Sequence, residues 1–342
     1  MTFRARRGLT DMTAATDDHI SAAVAAAKSG DEAAFAALVE PHRRELHVHC
    51  YRMLGSFTDA EDMVQETLLR AWRRRETYAG RSTFRAWLYR IATNACLDHL
   101  ERHPRRPGPA GEVTWLQPFP DRLLEQAAPP DAEPDAAVLA RETIELAFLV
   151  AVQHLPPRQR AVLMLRDVLG WSAAESAAVL ESSVASVNSA LQRARATLRE
   201  NLPRQRSEWA PAGPSDGERS VLRRFVDACE RADMPALASL LREDAVFAMP
   251  PQPEVTHGKD AIVDLWGQAL DPSRFGELLL VPVWLNRQPA AANYVRRPGD
   301  DAFRALAVDV LRVEDGLITD VLSFEHTEQF PVFDLLGLPG TR

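Results

Sequence analysis

Apolar residues recur at three- and four-residue steps through the first two hundred positions. Met63, Val64, Thr67, Leu68, Ala71 and Trp72 form one stripe, while Asp59, Glu61, Asp62, Gln65 and Glu66 occupy much of the remaining circumference. This spacing predicts an amphipathic helix with an acidic outer face. A second helix is predicted from about Thr83 to Glu101, with Phe84, Leu88, Ile91 and Ala95 on the inner stripe and Arg85, Tyr89, Arg90, Asn94 and Asp98 directed elsewhere. Further on, Ser172 and Glu175 have the spacing of a capping box, in which hydroxyl and carboxylate each satisfy an amide at a helix start. That helix runs to about Leu180. After the polar break Glu181-Ser182-Ser183, another follows with Val184, Val187, Leu191, Ala194 and Leu198 turned inward.

The outer side of this last helix carries Ser186, Asn188, Ser189, Gln192, Arg193, Arg195 and Arg199. Amides and hydroxyls near its start suit base edges, and the guanidiniums suit phosphate oxygens. Residues from Trp171 to about Leu202 therefore read as a helix-turn-helix. An ordinary surface pair in a bundle is the alternative for this segment taken alone.

Beyond residue 218 the period changes. Helices over Glu218 to Arg231 and Met234 to Leu241 precede alternating runs at Asp244 to Met249, Leu278 to Leu285, Ala305 to Val313 and Leu317 to Phe324. Glu314-Asp315-Gly316 is a hairpin signal between the last two. Helices followed by a meandering sheet indicate an α+β domain. Proline-rich stretches separate the blocks and give a multidomain chain: all-α at 17–103, linker at 104–134, all-α at 135–202, linker at 203–217, and α+β from 218 to 342.

Composition narrows the function classes. At 342 residues and 46% hydrophobic, the chain exceeds the size of one usual core. A net charge of −8 argues against coating nucleic acid by charge alone, so DNA contact is expected to be local or assisted by a partner. Cys50, Cys96 and Cys229 are widely spaced, without a C-x-x-C pair, which suits a reducing compartment. No run of about 18 apolar residues occurs, so neither a leader nor a membrane span is expected, and the location is read as cytoplasmic. His42, His47, His49 and Cys50 include metal-binding types, but consecutive helical positions point around the axis rather than at one centre. No metal or other cofactor is expected.

DAEDMVQETLLRAWRR (Asp59 to Arg74), STFRAWLYRIATNACLDHL (Ser82 to Leu100) and the segment from Leu155 to Arg199 together resemble the extracytoplasmic-function class of bacterial sigma factors. The resemblance implies that 17–103 is sigma region 2 and 135–202 is sigma region 4. It implies that Asp59, Glu61, Asp62, Gln65 and Glu66 bind the coiled coil of the largest subunit of RNA polymerase core. It also implies that the next helix opens the −10 element of promoter DNA, for which Tyr78, Arg85, Trp87, Tyr89, Arg90 and Asn94 supply planar groups and cations. The helix-turn-helix would read the −35 element. Asn188 and Ala190 stand where relatives often carry arginine, so the −35 sequence is not transferable, and Arg193 and Arg195 become the leading DNA contacts. WLQPFPD within the first linker looks like a local anchor, with no partner evident from sequence.

From Glu218 onward the chain is similar to SnoaL-like members of the NTF2-like superfamily, which implies a curved sheet over helices with a pocket. Trp266, Trp284, Tyr294, Asp309 and Glu325 are its candidate lining, open to a small-molecule ligand. A role in regulation is expected rather than catalysis, since no two of these residues form a tight acid–base motif. The apolar ending Phe330 to Leu338 is either a docking strip or the last piece of the core. The competing functional class is a one-component helix-turn-helix regulator, which would bind duplex DNA without polymerase.

Overall fold

The computed structural model describes residues 22–80, 82–105, 107, 113, 115–124, 146–201, 215–269, 271, 273, 275–328 and 330–342. Residues 17–21, Arg81, most of 106–114, 125–145 and 202–214 lie outside it, and with them much of both expected linkers.

The first helical block contains α1 (Glu32–Val39), α2 (Arg43–Leu54), α3 (Phe57–Arg73) and α4 (Phe84–Arg102). Local signals set their ends: Asp31, Ser56 and Thr83 each accept a backbone N–H at the start of α1, α3 and α4. Gly55 ends α2 in the left-handed conformation at φ 69°, and a Cβ there would lie 3.1 Å from the Gln153 side chain. Both the turn and the close approach of the second block require glycine. Leu46, Cys50, Tyr51, Met53, Leu54, Ala60, Leu88 and Ala92 form the sealed centre of the block.

After α5 (Asp121–Leu124), the second block comprises α6 (Leu146–Gln153), α7 (Pro157–Leu163), α8 (Ala173–Val179) and α9 (Val184–Asn201). The Ser172–Glu175 capping box forms as expected, with bonds of 2.7 and 3.2 Å. Val187, Leu191, Ala194 and Leu198 are buried, but Val184, at the first position of α9, is 45% exposed, contrary to its expected place on the inner stripe.

The two blocks pack against each other. Arg160 on α7 is buried and donates to the carbonyl of Met53 at the end of α2, to Gln153 Oε1 at 2.6 Å, and to the carbonyls of Gln153 and Leu155. Four carbonyl-type acceptors and no carboxylate surround this cation. Burial pulls its pKa down to about 9.

The third block consists of α10 (Asp216–Glu230), α11 (Met234–Leu240), β1 (Leu241–Ala248), β2 (Val255–His257), α12 (Lys259–Ala269), β3 (Glu277–Leu285), β4 (Gln288–Arg296), β5 (Arg304–Glu314), β6 (Leu317–Glu325) and α13 (Val332–Leu336). The six strands form an open sheet in the order β2-β1-β6-β5-β4-β3, antiparallel except for β1 beside β6. The expected β5–β6 hairpin closes at Asp315-Gly316, both at positive φ. One face packs on α10 to α12 through Phe225, Leu237, Leu280, Leu311 and Val321. Val308, Val310, Ala292 and Tyr294 belong to the opposite face, in a core continuous with the helical blocks. Phe330, Val332 and Phe333 are buried in that same core, which favours the core reading of the chain's apolar ending over a free strip.

Candidate nucleic-acid interfaces

On α3, Glu61, Asp62 and Gln65 are exposed, and Leu69 beside them is 42% exposed. Asp62, Gln65 and Leu69, with Met63, Glu66 and Arg102, line an open groove, and Glu61 stands outside it. An acidic face with an apolar contact at its centre suits a basic, partly apolar partner surface. Asp59 is set apart from this group. It pairs with Arg105 at 2.6 Å and lies 3.9 Å from His99, so it ties α3 to the chain leaving α4. Glu66 is engaged by Arg70, which also reaches Asp98 at 2.5 Å.

Around the loop before α4, Tyr78, Phe84 and Trp87 form an aromatic cluster with ring centroids 5.4 to 5.5 Å apart. All three are half-buried and border a small hollow against Val24, Ala27 and Phe35, with Lys28 Nζ 5.9 Å from the Tyr78 ring. Planar faces beside a cation are the chemistry that holds an unstacked base. Asn94 is half-buried farther along the helix.

Tyr89 is placed differently from expectation. It is 2% exposed, held between His49 and Trp171 with its hydroxyl donating to Glu45 at 3.1 Å. It is therefore not available to a DNA strand in this arrangement. Trp171 comes from the second block, a contact beyond the reach of helical periodicity. Arg85 also bonds Glu45, at 2.7 Å, and stacks over Tyr89. Burial pushes the Glu45 pKa up, but the hydrogen bonds from His42 and Arg85 prevail and hold it below the usual carboxylate range. Arg90 pairs across the blocks with Glu181, in the turn of the helix-turn-helix, at 2.5 Å.

On α9, Ser186, Asn188, Ser189, Gln192, Arg193, Arg195 and Arg199 are all exposed. Ser183 caps the helix by accepting the Ser186 N–H at 3.1 Å. Arg195 is forked onto Asp167 at 2.6 and 2.8 Å, which lifts its pKa. To reach a phosphate it must exchange that carboxylate. Among the α9 cations, Arg193 presents no such competing pair among the described residues.

His47, His49 and Cys50 diverge. His47 packs on Phe57 and Phe119, and His49 bonds Thr93 at 2.9 Å.

The WLQPFPD segment is the site whose partner sequence reasoning missed. Gln117 Oε1 accepts from Ser56 Oγ, Thr58 N and Thr58 Oγ1 at 3.0 to 3.1 Å, so it supplements the cap of α3. Phe119 is 1% exposed, seated among His47, Tyr51 and Phe57. From the other side comes the β3–β4 turn. Asn286 Oδ1 accepts the Phe119 N–H at 2.7 Å, its own N–H donates to the Phe119 carbonyl at 2.9 Å, and its Nδ2 donates to the Tyr51 hydroxyl at 3.1 Å. Arg287 N reaches Asp121 at 2.8 Å, and Arg122 donates to the Leu335 carbonyl. The linker is thus clasped between the first and third blocks. Asn286 and Arg287 both adopt positive φ, an arrangement asparagine tolerates well.

Of the candidate pocket residues, Trp266 is buried on α12 and Trp284 is half-buried on the sheet face under the helices, where Asp309 also points, while Glu325 is exposed at the end of β6. Tyr294 is not part of this lining. Alternation along β4 turns it with Ala290 and Ala292 to the opposite face, against Phe333, with its hydroxyl donating to the Pro339 carbonyl at 2.9 Å.

Comparison with known families matches the sigma-70 region 2 model to residues 38–106, the sigma-70 region 4 model to 145–198, and the SnoaL-like domain model to 222–321. The ECF RNA polymerase sigma factor SigG of Mycobacterium tuberculosis is 42% identical over 344 residues, covering 94% of this chain and 90% of that protein. SigJ of the same organism is 30% identical over 305 residues, covering 85% and 91%. The crystal structure of SigJ superposes with a TM-score of 0.56 at 24% identity, over 88% of this chain and 98% of that one, and so shares the fold.

Proposed function

Because the chain belongs to the extracytoplasmic-function (ECF) sigma factors of the sigma-70 family, we infer that it binds RNA polymerase core and directs initiation at specific promoters. Its helical blocks are the sigma regions, and the third block is a regulatory SnoaL-like module rather than an enzyme. Among the described residues no helix is long and apolar enough to cross a membrane. Core polymerase meets the α3 groove around Asp62, Gln65 and Leu69. The −10 strand meets the Tyr78–Trp87 cluster with Arg85, Arg90 and Asn94, and the −35 duplex meets the outer face of α9.

The observed packing is a closed form. The two promoter elements lie about 25 base pairs apart, roughly 85 Å of duplex at ~3.4 Å per pair. Blocks joined through Arg160, Tyr89–Trp171 and Arg90–Glu181 cannot span that distance, so promoter binding requires them to separate. The single observation that carries the regulatory reading is Asn286, a fully buried residue of the third block bonded to both the linker and Tyr51 of region 2. The third block thereby holds the linker whose path sets the spacing of the regions.

Run-off transcription with purified core polymerase tests both parts. Full-length protein should give promoter-specific products absent with core alone. Asn286→Ala should change their yield without changing promoter choice. No product above core across a genomic promoter library would defeat the first part, and unchanged yield the second. Tight duplex binding without polymerase would instead favour the one-component regulator.

A further inference from the structure

Two of the cations expected to hold the −10 strand are already engaged, Arg85 by Glu45 and Arg90 by Glu181. The aromatic cluster of Tyr78, Phe84 and Trp87 nonetheless has another cation beside it, delivered by the chain ahead of α1. A helical segment over 22–28 brings Val24 and the buried Ala27 to the hollow that Phe35, Phe84 and Trp87 also line. The segment ends in a turn at Gly30, whose N–H donates to the Ala27 carbonyl at 3.0 Å and whose φ of 101° favours a residue without a side chain. Lys28 lies between the packed Ala27 and this turn. Its Nζ is thereby set 5.9 Å from the centroid of the Tyr78 ring.

Lys28 is free to meet a phosphate. The sequence contains two lysines, and Lys259 is tied to Glu243, whereas Lys28 forms no ion pair among the described residues. Arg75 lines the same hollow and adds positive charge, but it is stacked over Trp72 at 4.2 Å and donates to the Trp72 carbonyl at 3.0 Å. Only first-block residues line the hollow, so the second block does not cover it. A lysine carries a compact charge on a flexible stem, which suits a backbone phosphate whose position shifts with the base beside it. Single strands are held by this combination, with aromatic faces for the bases and cations alongside for the phosphates.

We propose that Lys28 binds a backbone phosphate of the unpaired promoter strand while the adjoining base stacks on the Tyr78–Trp87 cluster. The segment over 22–28 thereby becomes part of the −10 site. A phosphate contact carries no base preference, so Lys28 fixes the position of the strand and leaves sequence choice to other groups. The contact is available in the present packing, before Tyr89 and Arg90 are uncovered, which makes it an early hold on the strand. The inference rests on the −10 reading of this cluster.

Holoenzyme assembled from core polymerase and the full chain tests it, titrated with a fluorescent single strand that carries the non-template −10 sequence of a promoter found by run-off transcription. Lys28→Gln should weaken binding by about threefold or more at low salt, and the gap should close as KCl is raised. The slope of log K against log salt should shrink by about 0.7, the share of one single-strand phosphate. Lys28→Arg, which keeps the charge, should bind to within about twofold of the parent. Methylphosphonate placed at each phosphate in turn should weaken the parent at one position and add nothing there to Lys28→Gln. An unchanged salt slope in Lys28→Gln, or a methylphosphonate profile shared by parent and variant, would overturn the proposal and leave the lysine a packing partner of Tyr78. If the parent holoenzyme fails to prefer the −10 strand over a scrambled one, the −10 reading of the cluster falls, and this inference with it.

Discussion

Helices α4 and α9 are both expected to touch DNA, yet the structure leaves them in opposite states. Every predicted contact on α9 faces solvent. On α4, Tyr89 is buried against Trp171, Arg85 is held by Glu45, and Arg90 is paired with Glu181 of the other block. Both sets of residues have suitable chemistry, so the difference lies in what covers them. Part of that cover is the other helical block, through Trp171 over Tyr89 and Glu181 on Arg90, while Glu45 of the block that carries α4 holds Arg85, so access to Tyr89 and Arg90 is tied to separation of the blocks. On the proposed reading, α9 is open to duplex in this packing, whereas Tyr89 and Arg90 become open to a −10 strand only once the blocks separate.

The strongest way to break this asymmetry is to remove Arg160. Arg160→Met keeps bulk but leaves the carbonyls of Met53, Gln153 and Leu155 without their charged donor. Hydrogen bonds to a buried charge contribute about 1.5–3 kcal/mol each, and the stranded acceptors add desolvation. A loss of about 3 kcal/mol or more is expected in urea denaturation. Hydrogen exchange should rise at Tyr89 and Trp171 together. Exchange that rises at only one of them would separate the two ends of the contact.

Asn286→Ala should act on the clasp rather than on the region contact. The Phe119 N–H and Tyr51 hydroxyl lose buried partners, for a cost of about 2 kcal/mol. Proteolytic cleavage between Trp115 and Asp121 should accelerate, while protection of Tyr89 stays as in the parent chain. Equal loss at both places would show that clasp and region contact form one cooperative unit.

How far the sequence foretold this follows from which forces are periodic. The capping box at Ser172, the inner stripe of α9 from Val187 onward and the β5–β6 turn at Asp315-Gly316 are local, and each stands where its spacing predicts. Strand β4 was not legible, because Pro289 and the run Ala290-Ala291-Ala292 lack the β-branched signature. Those alanines are small because β4 is buried on both sides, between its own helices and the core shared with the sigma blocks. The partner of Phe119 was hidden for a similar reason. It is a turn 167 positions away, with Asn286 as its only sequence cue. Tyr89 and Val184 were misjudged in opposite directions, since tertiary contact covers the one and leaves the other bare.

Acid should sharpen the distinction between the helical core and its contacts. His49, buried against Tyr89 and Thr93, has its pKa pushed from an ordinary 6.5 to about 3 by burial, and His47 is pushed to about 4. A histidine held neutral in the fold and free to protonate when unfolded stabilises fully above about 6.5. That contribution declines as pH falls from there toward the folded values. Urea midpoints measured between pH 7 and pH 4 should fall steeply, and His49→Gln, which can still bond Thr93, should flatten the slope. An unchanged slope in that variant would assign the acid sensitivity to other groups, with His47 next to test.

The smallest effect is expected at Arg90–Glu181, and it bears most directly on function. Both side chains are largely exposed, at 46% and 70%, so the pair contributes no more than about 1 kcal/mol and is screened by salt. Glu181→Lys replaces attraction with repulsion and frees Arg90 for the −10 strand. Stability should barely change, yet open-complex formation at a cognate promoter should rise by a factor of about two to five at low salt. The gain should vanish as ionic strength increases, because released Arg90 and the repulsive pair are both electrostatic. A rise that persists at high salt would point to altered packing in the helix-turn-helix turn, where Glu181 holds a positive φ of 50°. Glu181→Gly distinguishes the two, since it relieves the backbone and removes the charge without adding repulsion. If Lys and Gly variants gain equally, loss of the tether to Arg90 is sufficient for the gain, and this ion pair restrains strand capture alongside the Arg160 and Tyr89–Trp171 contacts.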